Sequence, residues 1–155
     1  MEIRLATIKD VDRLQDLLLS VQNLHAQGRP DVFIYGTRKY TDLMVKDIIA
    51  NQNSPVYVGV IDGEVMAYAF CEIKVSQGTQ NLKPLKTFYI DDLCVDEKYR
   101  GKGLGMVMYN YVKGVAKEKG CYHLTLNVWH LNQSAVKFYE KLGMKPLKST
   151  MEDIL

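Results

Sequence analysis

Cysteine is scarce in this 155-residue chain. There are three, Cys71, Cys94 and Cys121, odd in number, widely spaced and set among apolar neighbours. That pattern excludes a disulfide framework and a cysteine-built zinc site, and it fits a reducing, cytoplasmic compartment. Long apolar runs are missing too. The longest, residues 17–19 and 65–71, fall far short of the ~20 residues a membrane span needs. The segment from Met1 to Leu5 alternates polar with apolar residues and lacks the apolar core of a signal peptide. No charge of one sign predominates: 20 Lys and Arg against 18 Asp and Glu leave a net charge of +2, so nothing demands nucleic acid or an anionic membrane as partner. His25, His123 and His130 have no metal-ligand spacing, and no metal is expected. No linker rich in proline, serine or glycine, no low-complexity tract and no internal repeat divides the chain, which reads as one domain over residues 1–155. What is present, 47% hydrophobic and 25% charged residues, is the composition of an ordinary globular protein.

The hydrophobic periodicity predicts a strand over 2–7, then a helix opened by Asp10 whose apolar positions Val11, Leu14, Leu18 and Val21 keep a helical spacing. Residues 25–36 read as a loop and 37–50 as a second helix. Two strand-like runs, 55–61 and 64–75, flank Asp62-Gly63, a hairpin signal because a type I′ turn needs positive φ at both central residues. After a loop over 76–86 come a strand over 87–95, an amphipathic helix over 103–119, a strand over 122–128, a short helix over 132–141 and a final strand over 145–154. The order describes a mixed α/β domain with antiparallel strands early and a β-α-β crossover late.

The chemistry concentrates at residues 89–105. A strand carrying Asp91 and Asp92 leads through a short loop into Arg100-Gly101-Lys102-Gly103-Leu104-Gly105 and then a helix. Glycines there let the backbone approach a ligand, and the unpaired N–H groups of a helix N-terminus favour an anion. Such a turn suits a phosphate or pyrophosphate. Both common nucleotide fingerprints fail: no G-x-x-x-x-G-K is followed by Ser or Thr, and a G-x-G-x-x-G started at Gly101 or Gly103 meets Met106 or Met108 where glycine belongs. Asp is depleted in strands, yet two stand side by side in an apolar run. Without a bulge they would point to opposite faces, and local rules tend to break at functional sites. An ion pair at a strand edge is the plainer explanation, and composition leaves both open. In the segment from Asn132 to Gly143, Asn132, Ala135 and Tyr139 share one helical face. Taken alone, Asn132 is an N-cap, Tyr139 a half-buried aromatic and Gly143 a helix stop. Beside the glycine turn they become candidates for the same site.

Together these residues resemble the GNAT (GCN5-related N-acetyltransferase) superfamily. Its acetyl-CoA signature, R/Q-x-x-G-x-G/A, is met by Arg100 to Gly105. An acidic strand ending in Val95 precedes it, and Asn132, Ala135, Phe138, Tyr139 and Gly143 reproduce the family's N-x-x-A-x-x-F-Y-x-x-x-G arrangement. The match is strong over residues 87–151. The resemblance implies a mixed, mostly antiparallel sheet flanked by helices, with two central parallel strands splayed apart. It implies acetyl-CoA as cosubstrate: backbone amides of Arg100, Gly101, Lys102, Gly103, Leu104 and Gly105 around the pyrophosphate, Arg100 and Lys102 adding charge, and Leu93, Cys94 and Val95 pairing with the pantetheine arm. Asn132 would hydrogen-bond the cosubstrate and Tyr139 would sit near its sulfur.

The activity so implied is direct transfer of an acetyl group to a primary amine in a ternary complex. Tyr139 would protonate the leaving thiolate, a backbone N–H of Leu93 or Cys94 would stabilise the oxyanion, and Asp91, then Asp92, would be the base or would attract the cationic amine. Covalent catalysis through Cys94 is disfavoured because no histidine lies near it in sequence. His25, Arg29 and Asp31 are specificity candidates, since the corresponding region borders the acceptor pocket in the family. The acidic pair favours a small amine or polyamine-like acceptor. A protein N-terminus or lysine is the alternative acceptor, and a non-catalytic CoA-binding regulatory module the alternative function. A homodimer is common in the family. The lysine stripe running from Lys98 to Lys119 is read as a CoA-phosphate rim plus a solvated helix face rather than a nucleic-acid site.

Overall fold

The structure is a computed structural model that describes residues 1–155. Five strands form one sheet in the order β1-β2-β3-β4-β5: β1 Glu2–Leu5, β2 Val56–Ile61, β3 Glu64–Ser76, β4 Leu85–Val95 and β5 His123–Leu126. β1 to β4 pair antiparallel in succession, and β4 and β5 run parallel. Four helices cover the sheet: α1 Val11–Gly28, α2 Asp42–Ala50, α3 Leu104–Glu118 and α4 Gln133–Lys141. The β2–β3 hairpin turns at Asp62 and Gly63, with φ of 51° and 83°, the positive pair that a type I′ turn requires.

Alternation along the strands divides the core between two faces. On one, Val58, Tyr68, Phe70 and Cys94 pack against Leu14, Leu18 and Val45 of α1 and α2. On the other, Ala67, Ala69, Phe88 and Ile90 meet Met108, Tyr109 and Val112 of α3, which lie on one face of that helix; Val107 and Tyr111, expected to be part of its apolar stripe, are exposed instead. Asp10 is buried at the entry to α1, where it takes two bonds from the Arg4 guanidinium at 2.8 and 2.9 Å and one from the Thr7 amide at 2.7 Å.

Several boundaries differ from the sequence expectation. α1 runs on to Gly28, so His25 sits on a helix rather than in a loop. α2 begins only at Asp42, where the Thr41 side chain accepts from the Met44 amide; a threonine cap fixes the start better than the propensity of residues 37–40. β4 starts two residues early, at Leu85. The strand expected over 145–154 is not formed. Residues 144–155 carry no helix or strand, because alternation alone does not make a strand without a partner to pair with.

Candidate active site

β4 changes character halfway along. Its pairing with β5 covers only Thr87 to Ile90, and beyond Ile90 the β5 side of β4 is unpaired. Between the diverging ends opens a cavity of about 1000 Å³, walled by Asp91 to Val95 on one side and Leu126 to Trp129 on the other.

A β-bulge sits where the strands part. Phe70 pairs with Asp92 and Cys71 with Ile90, which makes Asp91 the extra residue on β4. A bulge adds one residue and so breaks the alternation. Ile90 packs toward α3 and Cys94 toward α1, and the inserted residue leaves both carboxyls on the α1 side. Asp91 accepts from Lys39 Nζ at 2.8 Å and from the Tyr40 hydroxyl. Asp92 accepts from the Tyr68 hydroxyl at 3.3 Å. The adjacent aspartates thus share a face, and both kinds of explanation open from sequence apply: Asp91 is in an ion pair, and it lines a cavity.

Burial pushes the Asp92 carboxyl up to about 6; the Lys39 ammonium opposes the shift and the Asp91 charge adds to it. Loss of hydration disfavours the charged form of an acid. The same effect, with Asp92 nearby, holds the Tyr139 phenol well above its ordinary range. Burial also pushes the Cys94 thiol up to about 12, which keeps it protonated and unsuited to act as a nucleophile.

The mouth of the cavity is formed by the turn from Arg100 to Gly105. Gly101 and Gly103 have φ of +76° and +77°, and nothing lies within 4 Å of where a Cβ would project. α3 then begins without a side-chain cap, so its first-turn N–H groups are available to an anion. Together with the unpaired edge of β4, this donor set fits a ligand carrying a diphosphate on an extended, amide-bearing arm. Arg100 lines the cavity, its Nε bonded to the Val95 carbonyl at 3.1 Å. Lys102 does not line it; its Nζ lies 4.8 Å from the Tyr99 ring centroid. A Cβ at Gly105 would come 3.2 Å from the Phe138 ring, so glycine permits the close approach of α3 and α4 that brings Tyr139 into the cavity wall. Asn132 caps α4, its Oδ1 accepting from the Ala135 amide at 3.1 Å.

The far end is aromatic. The rings of His25 and Phe33 lie 5.1 Å apart, as do those of Phe33 and Trp129. Burial, with Lys39 second, lowers the His25 pKa. Arg29 and Asp31, expected to border the acceptor pocket, are not in its wall. Arg29 pairs with Asp31 at 2.7 Å and with Glu152 at 2.9 Å, fastening the C-terminal segment. Lys39, Tyr40, Tyr68, Phe33 and Trp129 were not legible as site residues. They come from scattered places in the chain, and only the single tryptophan stands out in composition. No group of three or more His, Cys, Asp or Glu side chains is placed to hold a metal ion, and no helix is long and apolar enough to cross a membrane.

Comparison with known proteins converges on one family. Residues 19–144 match the family model described as "Acetyltransferase (GNAT) family". Thialysine N-epsilon-acetyltransferase of Sus scrofa is 37% identical over 62 residues, 40% of this chain and 36% of that protein. Streptothricin acetyltransferase of Streptomyces lavendulae is 32% identical over 94 residues, 61% of this chain and 45% of that protein. The chain therefore spans less than half the length of either relative. Among solved structures, a tetramutant of the BH1408 protein from Bacillus halodurans superposes over 100% of both chains with a TM-score of 0.96 and 30% identity.

Proposed function

The chain belongs to the acetyltransferase (GNAT) family, and from that premise we propose that it moves the acetyl group of acetyl-CoA onto a small primary amine by direct transfer. One observation carries the reading: a single cavity takes in the uncapped α3 N-terminus, the unpaired edge of β4, the Tyr139 phenol and the Asp92 carboxyl.

Backbone amides from Arg100 to Gly105 would hold the pyrophosphate, with Arg100, rather than the outward-lying Lys102, adding charge. Leu93, Cys94 and Val95 offer the β4 edge to the pantetheine arm as a strand offers itself to a neighbour. Asn132 spends its oxygen on the α4 cap, leaving its amide N–H groups for the cosubstrate. Acetyl-CoA, when bound, supplies an acetyl group activated as a thioester. The buried Tyr139 phenol keeps its proton at every physiological pH and so has one to give to a leaving thiolate. Asp92, pushed up to about 6, is mostly ionised at neutral pH yet basic enough to take a proton from an ammonium group. Asp91, already held by Lys39 and Tyr40, suits attraction of a cationic amine. The roles of the two carboxylates are thus the reverse of the order preferred from sequence. A backbone N–H of Leu93 or Cys94 is the oxyanion donor. The carboxylates and the aromatic walls of His25, Phe33 and Trp129 favour a small amine over a protein segment, and the relatives named for thialysine and streptothricin accord with this.

The test is calorimetry with acetyl-CoA followed by free-thiol release across a panel of primary amines. Binding together with amine-dependent release is expected. Binding without release for any amine would instead indicate a CoA-binding regulatory module.

A further inference from the structure

An amine already stands beside the carboxylates. Lys39 Nζ donates to Asp91 Oδ2 at 2.8 Å and lies 3.5 Å from the Asp91 carbonyl oxygen, at the bulge where β4 leaves β5. Of the two lysines in the cavity wall, Lys39 and Lys141, Lys39 is the one bonded to the carboxylate. Its side chain is 39% exposed and lies in the segment between α1 and α2, which has no helix or strand. A four-carbon stem from such a segment gives Nζ reach along the cavity. Its charge is felt by Asp92 and by His25, so the ammonium faces the groups that any external amine would face.

Resting on the acetyltransferase reading above, we propose that Lys39 is an internal acceptor: with acetyl-CoA bound and no amine substrate present, the enzyme acetylates its own Lys39 side chain. The C–N bond forms between Nζ and the acetyl carbon as the C–S bond breaks. The ammonium loses two protons, one through Asp92 to solvent and the other, by way of Tyr139, to the departing CoA, which leaves as a thiol. Lys39 becomes an uncharged amide, and no other reactant is needed. An amine tethered at the site avoids the entropy cost of bringing in a second molecule, an advantage worth many orders of magnitude in effective concentration when the geometry is right. Loss of the Lys39 charge breaks its pair with Asp91, which then faces the cavity with no cation beside it. Acetylation would thus leave a more negative subsite for a cationic acceptor.

The experiment is incubation of the full chain with acetyl-CoA alone, followed by peptide mapping by mass spectrometry. One acetyl group on Lys39 is expected, with Lys141 and the outward lysines Lys74 and Lys102 unmodified. The modification should follow first-order kinetics whose rate is independent of protein concentration. Tyr139→Phe should slow it by about 10²-fold or more, and an external amine that is turned over should slow it by competition. If Lys39 stays unmodified while the same preparation releases thiol with an external amine, the proposal fails and the acetyltransferase reading stands. Acetyl groups spread evenly over the lysines, at a rate Tyr139→Phe leaves unchanged, would mark uncatalysed chemistry and also overturn it. If neither thiol release nor Lys39 acetylation occurs, the acetyltransferase reading itself falls and takes the proposal with it.

Discussion

Asp92 and Asp10 are both carboxylates taken out of water, which by itself raises the pKa of each, yet their partners leave them shifted in opposite directions. Arg4 holds Asp10 down at about 2, whereas burial, with the Asp91 charge adding to it, raises Asp92 to about 6. As a base, Asp92 works only when deprotonated, so kcat/KM should climb with pH through about 6. Asp92→Asn should remove that limb and lower the rate by about 10²–10⁴-fold, as pH profiles of the two proteins would show. The linked stability effect has the other sign. A folded pKa above the unfolded carboxyl value means that stability falls as pH rises from about 4 through 6, so Asp92→Asn should melt no lower than wild type at pH 8. Asp10 contributes stability above about pH 4 that is lost as pH falls toward 2. Asp10→Asn should therefore cost about 1–3 kcal/mol near neutrality, with the gap closing in acid denaturation series. The anomaly of two aspartates in a strand was visible in the sequence. The bulge that turns both to one face was not, because register depends on which residues of β3 lie opposite.

Among the elements, those with local signals were the most legible. The Asp62-Gly63 turn, the existence of α3 and the Asn132 cap each depend on residues close in sequence. The glycine turn before α3 gives a sharp expectation. Gly103→Ala must hold a side chain at φ +77°, which costs roughly 1–2 kcal/mol, yet the space around it is open and the fold should survive. The added methyl would stand in the turn proposed to hold the pyrophosphate, so acetyl-CoA affinity measured by calorimetry should fall at least tenfold while circular dichroism stays native. For α4, Asn132→Ala removes the side-chain acceptor for the Ala135 amide and should lower stability by about 1 kcal/mol. It should also raise the KM for acetyl-CoA if the free amide N–H groups hold the cosubstrate. The strand expected over 145–154 failed for the reason that obscured the bulge: strand formation is decided by distant partners. The extension of α1 to Gly28 was hidden by Gly28 and Pro30, which punctuate that stretch like a loop.

Across the whole molecule, the parallel pair β4–β5 comes apart after four residue pairs, and the site occupies the gap. The near-neutral net charge of +2 conceals two local patches. Arg100 and the α3 N-terminus are positive at one end of the cavity, and Asp91 and Asp92 are negative farther in. The glycine turn and acidic strand made both ends legible from sequence. The aromatic end of the cavity was not, since Lys39, Phe33 and Trp129 reach its wall from separate parts of the chain. The most direct test is the rate of free-thiol release from acetyl-CoA with a small primary amine, compared between wild type and Tyr139→Phe. Without an amine, wild type should release no more than one equivalent of thiol per chain; sustained release should require the amine. The variant should bind acetyl-CoA with similar affinity and turn over about 10²–10⁴ times more slowly. Release that no amine stimulates, or a Tyr139→Phe protein as fast as wild type, would contradict acetyl transfer by these residues.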